Sequence, residues 1–313
     1  MKFIKEFKEI DKGNVSIAGG KGANLGQLLK IKIPVPPGFV VLASTFERFL
    51  EETDINVEIK AMWNRINIED IESVEENSEI VGDLIIKAKI PKDIEKELLD
   101  SYKKLKAKYV AVRSSATAED SKIDSWAGQL ETYLNTTQEN LIENIKRCWA
   151  SLYSPRALFY RIKRDSLQKQ ILVAVIVQKM IQSEVSGVCF TVHPVTKDKN
   201  QMVVEAVWGL GEILVSGQVT PDSYVIDRRN LNILDVNVNP QEKMIARAKQ
   251  GNKTVAVPKT KKEKQKLSEK EIEQLAKLCI KIENHYKIPQ DIEWALEKNK
   301  FYILQSRPIT ALL

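Results

Sequence analysis

The chain has 313 residues, with 43% hydrophobic and 29% charged side chains, the balance of a folded globular protein rather than a disordered one. Its net charge of +6 suits an anionic ligand, while its longest apolar run, residues 171–177, falls far short of the roughly 20 residues that cross a membrane. With His193 and His285 as its only histidines, the chain cannot build an all-histidine metal site or an HExxH motif.

In residues 14–30, Gly19, Gly20 and Gly22 precede Leu25, Leu28 and Leu29. This predicts a glycine-rich turn running into a helix that Pro34, Pro36 and Pro37 stop. Residues 38–42 predict a short strand, and Ser44 with Glu47 has the pattern of a capping box opening the next helix. Residues 54–108, rich in Glu, Lys, Ile and Leu, predict two or three amphipathic helices. A strand over 109–112 then delivers the chain into Arg113-Ser114-Ser115-Ala116-Thr117-Ala118-Glu119-Asp120. Residues 140–152 predict a helix with Leu141, Ile145, Cys148 and Leu152 on one face, and Ser154-Pro155 restarts a helix with proline at its first position. From residue 171 the texture turns to strands, over 171–181, 187–192, 202–208 and 224–227. The basic run 259–266 has no interleaved aromatics and reads as a solvated loop, with no nucleic acid as partner. A helix over 269–285, opened by Ser268, and a final pair of strands complete an α+β chain. The three cysteines, Cys148, Cys189 and Cys279, form no CxxC pair and point to buried thiols in a reduced, cytoplasmic setting.

The final pair of strands, 291–297 and 301–307 with 298–300 as a three-residue loop, carries the most information. That loop sets Glu297 opposite Phe301, Glu293 opposite Gln305 and Asp291 opposite Arg307. Alternation then puts Asp291, Glu293, Gln305 and Arg307 on one face, and Ile292, Trp294, Leu296, Tyr302 and Leu304 in the core. A carboxylate beside an amide oxygen suits Mg2+, and an adjacent arginine suits phosphate. Spacing alone favours the plainer alternative, a half-exposed hairpin with a solvated polar face. Gly19-Gly20-Lys21-Gly22 lets backbone approach a ligand and offers a lysine to phosphate oxygens, yet it is neither a GxxxxGK[ST] loop nor a dinucleotide fingerprint. Arg113-Ser114-Ser115 at a strand end suits an anion or a capped turn. Trp208-Gly209-Leu210-Gly211-Glu212 is a further flexible turn, with Trp208 read as core. His193, before Pro194 in a turn, and His285, at a helix end, read as structural.

Taken together, these segments resemble the N-terminal ATP-binding domain of the dikinase family. That family includes phosphoenolpyruvate synthase, pyruvate phosphate dikinase and rifampin phosphotransferase. The likeness is carried, in family order, by Gly19-Gly-Lys-Gly-Ala-Asn-Leu-Gly26, Val35-Pro-Pro-Gly-Phe39, Val112-Arg-Ser-Ser-Ala-Thr-Ala-Glu-Asp120 and Ala127-Gly-Gln129. It continues through Trp149-Ala-Ser-Leu152, Ser186-Gly187, Trp208-Gly-Leu-Gly-Glu212, Asp291-Ile-Glu-Trp294 and Leu304-Gln-Ser-Arg-Pro308. The resemblance implies one ATP-binding module of ATP-grasp-like fold, with lobes of about 1–185 and 186–313 closing over the nucleotide. It implies Lys21 and Arg113 as phosphate ligands, Gly128 and Thr132 lining the phosphate region, and Gln178 and Met180 meeting the adenine. Glu293 and Gln305 become the Mg2+ ligands, with Arg307 on the phosphates; Lys21, Arg113 and Arg307 carry the catalysis.

In such a family ATP is split to AMP and phosphate, and a phosphoryl group passes to a histidine on a separate domain, which then phosphorylates an acceptor. Neither His193 nor His285 lies in the phosphohistidine pattern, so the carrier and the acceptor-binding domain are expected elsewhere. A pyruvate, water dikinase type is the leading implication. A rifampin- or phenol-type phosphotransferase and a non-catalytic nucleotide sensor are the alternatives. Residues 235–266 match no family motif.

Overall fold

The structure, a computed structural model, describes residues 2–117, 131–163, 171–248 and 251–309. The chain divides into two compact units: Met1–Gly26 with Pro37–Met180, and Gln27–Pro36 with Ile181–Leu313.

The first unit contains β1 (Ile4–Glu6), α1 (Val15–Lys30, through Gly26), β2 (Gly38–Val41), α2 (Ala43–Glu52), α3 (Ile55–Arg65), α4 (Ile71–Lys87) and α5 (Lys92–Lys104). It continues with β3 (Val110–Ala116), β4 (Thr132–Thr136), α6 (Leu141–Ala150), α7 (Pro155–Lys163) and β5 (Val173–Lys179). The strands form one antiparallel sheet in the order β1-β2-β5-β3-β4. Strand alternation sends Phe39, Val41, Val110, Val112, Val173, Val175 and Val177 to one face, where they join Phe46, Phe49, Val81, Leu141, Ile145 and Trp149 in a single core. Trp149 stacks on Phe46 at 5.2 Å between ring centres, a pairing worth about 1 kcal/mol beyond its buried area. The opposite face carries Ala111, Arg113 and Ser115 of β3 beside Gln178, Ile176 and Ala174 of β5.

Two local expectations change here. α2 begins at Ala43 behind Leu42, and no Ser44 capping box forms. The cause lies just before β1: the Leu42 amide and the Thr45 hydroxyl both donate to Phe3 O, at 2.9 and 2.8 Å, and this fixes the helix start. β3 also does not end at Val112. It pairs with β5 from Val110 opposite Lys179 to Ala116 opposite Val173, so Arg113-Ser114-Ser115 is strand rather than a switch into a loop.

The second unit contains β6 (Val185–Phe190), β7 (Gln201–Trp208), α8 (Glu212–Val215), β8 (Asp222–Asp227), β9 (Ile233–Asn237), β10 (Lys243–Arg247) and β11 (Asn252–Ala256). α9 (Glu269–Tyr286), β12 (Gln290–Glu297) and β13 (Lys300–Pro308) follow. Six strands form an antiparallel sheet in the order β13-β12-β6-β7-β8-β9, and β10 and β11 make a separate hairpin. α9 opens on the Ser268–Glu271 capping box and buries Ile272, Leu275, Cys279 and Ile282. Cys189, Val204, Tyr224 and Ile292 supply buried side chains from the sheet.

The unplaced stretch 235–266 thus holds the end of an edge strand and a small hairpin. Its basic run is exposed except at the half-buried Lys262 and at its end, where Lys266 is buried. Lys266 Nζ pairs with Asp222 Oδ1 at 2.6 Å. Asp222 also accepts from Asn239 N, Tyr224 OH and Lys266 N, each at 2.9 Å, so both of its buried oxygens are satisfied. Trp208 is buried as expected, with its backbone amide and carbonyl both bonded to the Gln241 side chain. Among the described residues no helix is long and apolar enough to cross a membrane.

Candidate functional site

The β12–β13 hairpin turns through two residues, Lys298 and Asn299, both left-handed with φ of +50° and +58°. This tight turn replaces the expected three-residue loop, so Glu297 faces Lys300 and Leu296 faces Phe301. A β-bulge then restores the phase. Trp294 faces Ile303, whereas its neighbour Glu293 faces Gln305, which makes Leu304 the extra residue. The correction reaches the core: Phe301 and Ile303 are buried, and Tyr302 and Leu304 are only half-buried. Beyond the bulge the expected pairs stand, Glu293 opposite Gln305 and Asp291 opposite Arg307.

Glu293, Gln305, Asp291 and Arg307 share one face of the sheet. On that face Glu293 also continues through Val188 to Glu205 of β7. Arg307 donates to Asp291 Oδ2 from Nε at 2.8 Å and Nη2 at 2.7 Å. Burial pushes the Asp291 carboxyl above the usual carboxylate range; the Arg307 guanidinium opposes the rise and Glu293 adds to it. Burial, then the nearby Asp291, raises Glu205 as well. Glu205 was missed in the sequence, where its only signal is one charged position in an apolar strand.

Two oxygens on this face, Gln305 Oε1 and Asp291 Oδ1, are buried with no hydrogen-bond partner among the described residues. A buried acceptor without a donor costs about 1–3 kcal/mol, and a hard cation is one group that would satisfy it. No three His, Cys, Asp or Glu side chains among the described residues converge as a metal cluster. The carboxylate of Glu293 beside the amide oxygen of Gln305 is a hard-oxygen donor set of the kind Mg2+ accepts while keeping several of its waters.

In the first unit, Arg113 lies between Thr132 on β4 and Ile176 on β5, and Gln178 lies between Ala111 and Gly38. Register puts Arg113, Thr132 and Gln178 on the face away from the core. Thr132 is exposed, Arg113 is half-buried and Gln178 is 2% exposed. Met180 follows β5, its amide donating to Tyr109 O at 3.0 Å. Lys21 lies on α1, which is broken at Gly19 (φ +67°, ψ 170°), and its ammonium donates to Ser114 O at 3.1 Å. Gly128, with residues 118–120 and 127–129 of the quoted segments, lies outside the described residues. The expected set is thus divided: Lys21, Arg113, Thr132, Gln178 and Met180 in the first unit, and Glu293, Gln305 and Arg307 in the second.

A lysine beside a glycine break in one unit, and a carboxylate–amide pair beside an arginine in the other, are groups whose chemistry suits phosphate and a hard cation. The chain belongs to the family described as "Pyruvate phosphate dikinase, AMP/ATP-binding domain", whose model matches residues 15–312. It is 46% identical over 310 residues to the probable phosphoenolpyruvate synthase of Archaeoglobus fulgidus, covering 97% of this chain and 41% of that protein. It is 42% identical over 320 residues to the probable phosphoenolpyruvate synthase of Methanocaldococcus jannaschii, covering 100% of this chain and 27% of that protein. To the phosphoenolpyruvate synthase of Pyrococcus furiosus it is 38% identical over 359 residues, covering 99% and 44%. The chain therefore spans less than half the length of these relatives. Its likeness to the crystal structure of D-alanyl-alanine synthetase A from Vibrio cholerae has a TM-score of 0.40 at 9% identity, covering 93% of this chain and 55% of that one. A score that low assigns no fold.

Proposed function

We propose that this chain is the ATP-binding, phosphoryl-donating part of a dikinase of the phosphoenolpyruvate synthase kind. In this reading ATP is cleaved to AMP and phosphate, and a phosphoryl group passes to a histidine on a domain or subunit outside this chain. That phosphohistidine in turn serves a pyruvate-type acceptor held by a further domain. The observation that carries the proposal is the Glu293–Gln305 pair, with the buried Gln305 Oε1 lacking a donor beside a carboxylate and Arg307.

Lys21 and Arg113 would bind and orient the phosphates as fixed positive charges, with Gly128 and Thr132 along them, while Gln178 and Met180 would read the adenine. Glu293 and Gln305 would hold Mg2+, and Arg307, kept in place by Asp291, would meet a phosphate oxygen. When bound, Mg2+ supplies neutralisation of phosphate charge. In phosphoryl transfer the protein's share is mainly such positioning and electrostatic stabilisation.

The test supplies ATP labelled in its β and γ phosphates, Mg2+, and the phosphohistidine domain of a phosphoenolpyruvate synthase relative. Acid-labile label should appear on that domain while AMP accumulates. Glu293→Ala should lower the transfer rate by about 10²–10³-fold and weaken Mn2+ binding followed by electron paramagnetic resonance. Tight Mg·ATP binding with no label on any phosphohistidine domain would leave a nucleotide sensor in place of the enzyme.

A further inference from the structure

Because α1 breaks at Gly19, residues 20–30 begin a helix of their own with Gly19 in the N-cap place. The first amides of a helix lack intrahelical acceptors, and an N-cap side-chain oxygen normally takes the one at the second or third helical residue. Gly19 has no side chain with which to do this and no room for one. A Cβ there would lie 2.4 Å from Ser115 O. That same Cβ position lies 2.2 Å from Ser115 Oγ, so the Ser115 hydroxyl stands almost where an N-cap side chain would be. It makes the corresponding bond: Gly22, third residue of the segment, donates its amide to Ser115 Oγ at 3.4 Å, across 93 residues of sequence.

Ser115 is fully buried on β3 and belongs to the face that carries Arg113. The residue before it, Ser114, receives the Lys21 ammonium on its carbonyl. Adjacent residues of one strand thus hold both the backbone and the side chain of the segment that carries Lys21. We propose that Ser115 is a positioning residue: a surrogate N-cap, supplied from β3, that fixes Lys21 and thereby sets the affinity for nucleotide. The inference rests on the proposal that Lys21 meets phosphate.

The experiment is calorimetric titration of the full chain with ATP in excess Mg2+, for wild type, Ser115→Ala, Lys21→Met and the double variant. Loss of one hydrogen bond should raise the Kd of Ser115→Ala about five- to tenfold, and loss of the charged contact should raise that of Lys21→Met about 10- to 100-fold. If Ser115 acts through Lys21, the double variant binds no more weakly than Lys21→Met. Multiplying effects in the double variant would overturn the inference. Ser115→Cys keeps the volume but offers a weak acceptor, so it should bind like Ser115→Ala, and it serves as the test if Ser115→Ala does not fold. Wild-type affinity in Ser115→Cys would likewise reject a capping role. Unchanged affinity in Lys21→Met sinks the phosphate reading and this inference together; weakening in Lys21→Met alone sinks only this one.

Discussion

At the scale of single residues, Gly19 shows how sterics select an amino acid. Its φ and ψ fall in a region that only glycine occupies without strain, and Ser115 fills the space where a side chain would begin. Gly19→Ala should therefore destabilise the chain by about 2–4 kcal/mol, read as a lower urea midpoint with an unchanged slope. The glycine run was legible as a close approach of backbone, and Lys21 as a cation within it. What Gly19 approaches was not legible, because the partner lies 96 positions away on a strand that seemed to stop at Val112. The same limit hid Glu205, which reaches the Glu293 row only through the pairing of β7 with β6 and β6 with β12.

Elements were most legible where periodicity was long or a cap was unambiguous. α6 buries Leu141, Ile145 and Cys148 as assigned, with Leu152 buried just past its end, and α9 starts at its serine box. Legibility failed where a neighbour overruled the local signal, as when Phe3, just before β1, drew the start of α2 forward to Ala43. It failed again in residues 235–266, whose short strands carry little alternation of their own. That stretch is anchored by the buried Asp222–Lys266 pair, which joins the end of the basic run to β8. Removing one member of a buried pair leaves the other charge uncompensated. Asp222→Asn should cost about 3–5 kcal/mol by chemical denaturation, whereas Lys262→Ala, at an exposed pair with Glu242, should stay within about 0.5 kcal/mol.

Over the whole molecule, the α+β class and the order of helices before strands were legible from texture alone. The assignment of residues 27–36 to the second unit was not, since it depends on contacts that no local pattern records. Cys148, Cys189 and Cys279 are all free and buried. Burial pushes the Cys148 and Cys279 thiols well above their ordinary range, which suppresses the reactive thiolate. A thiol reagent such as DTNB should accordingly find no fast-reacting cysteine in the native chain and three after denaturation. One fast thiol in the native state would show that a unit opens under native conditions.

The bulge in the last hairpin gives its final strand a measure of slack. Leu304 is the extra residue of the ladder, so a chain lacking it would keep Phe301 against Leu296 and bring Gln305 against Glu293 along a straighter strand. Loss of a residue on the turn side of the bulge, between Phe301 and Ile303, would instead shift partners and turn side chains to the wrong face. A one-residue deletion scan along β13 should find a single tolerated position there. The acidic row and the turn can then vary in length independently, because the strand absorbs the difference at one point.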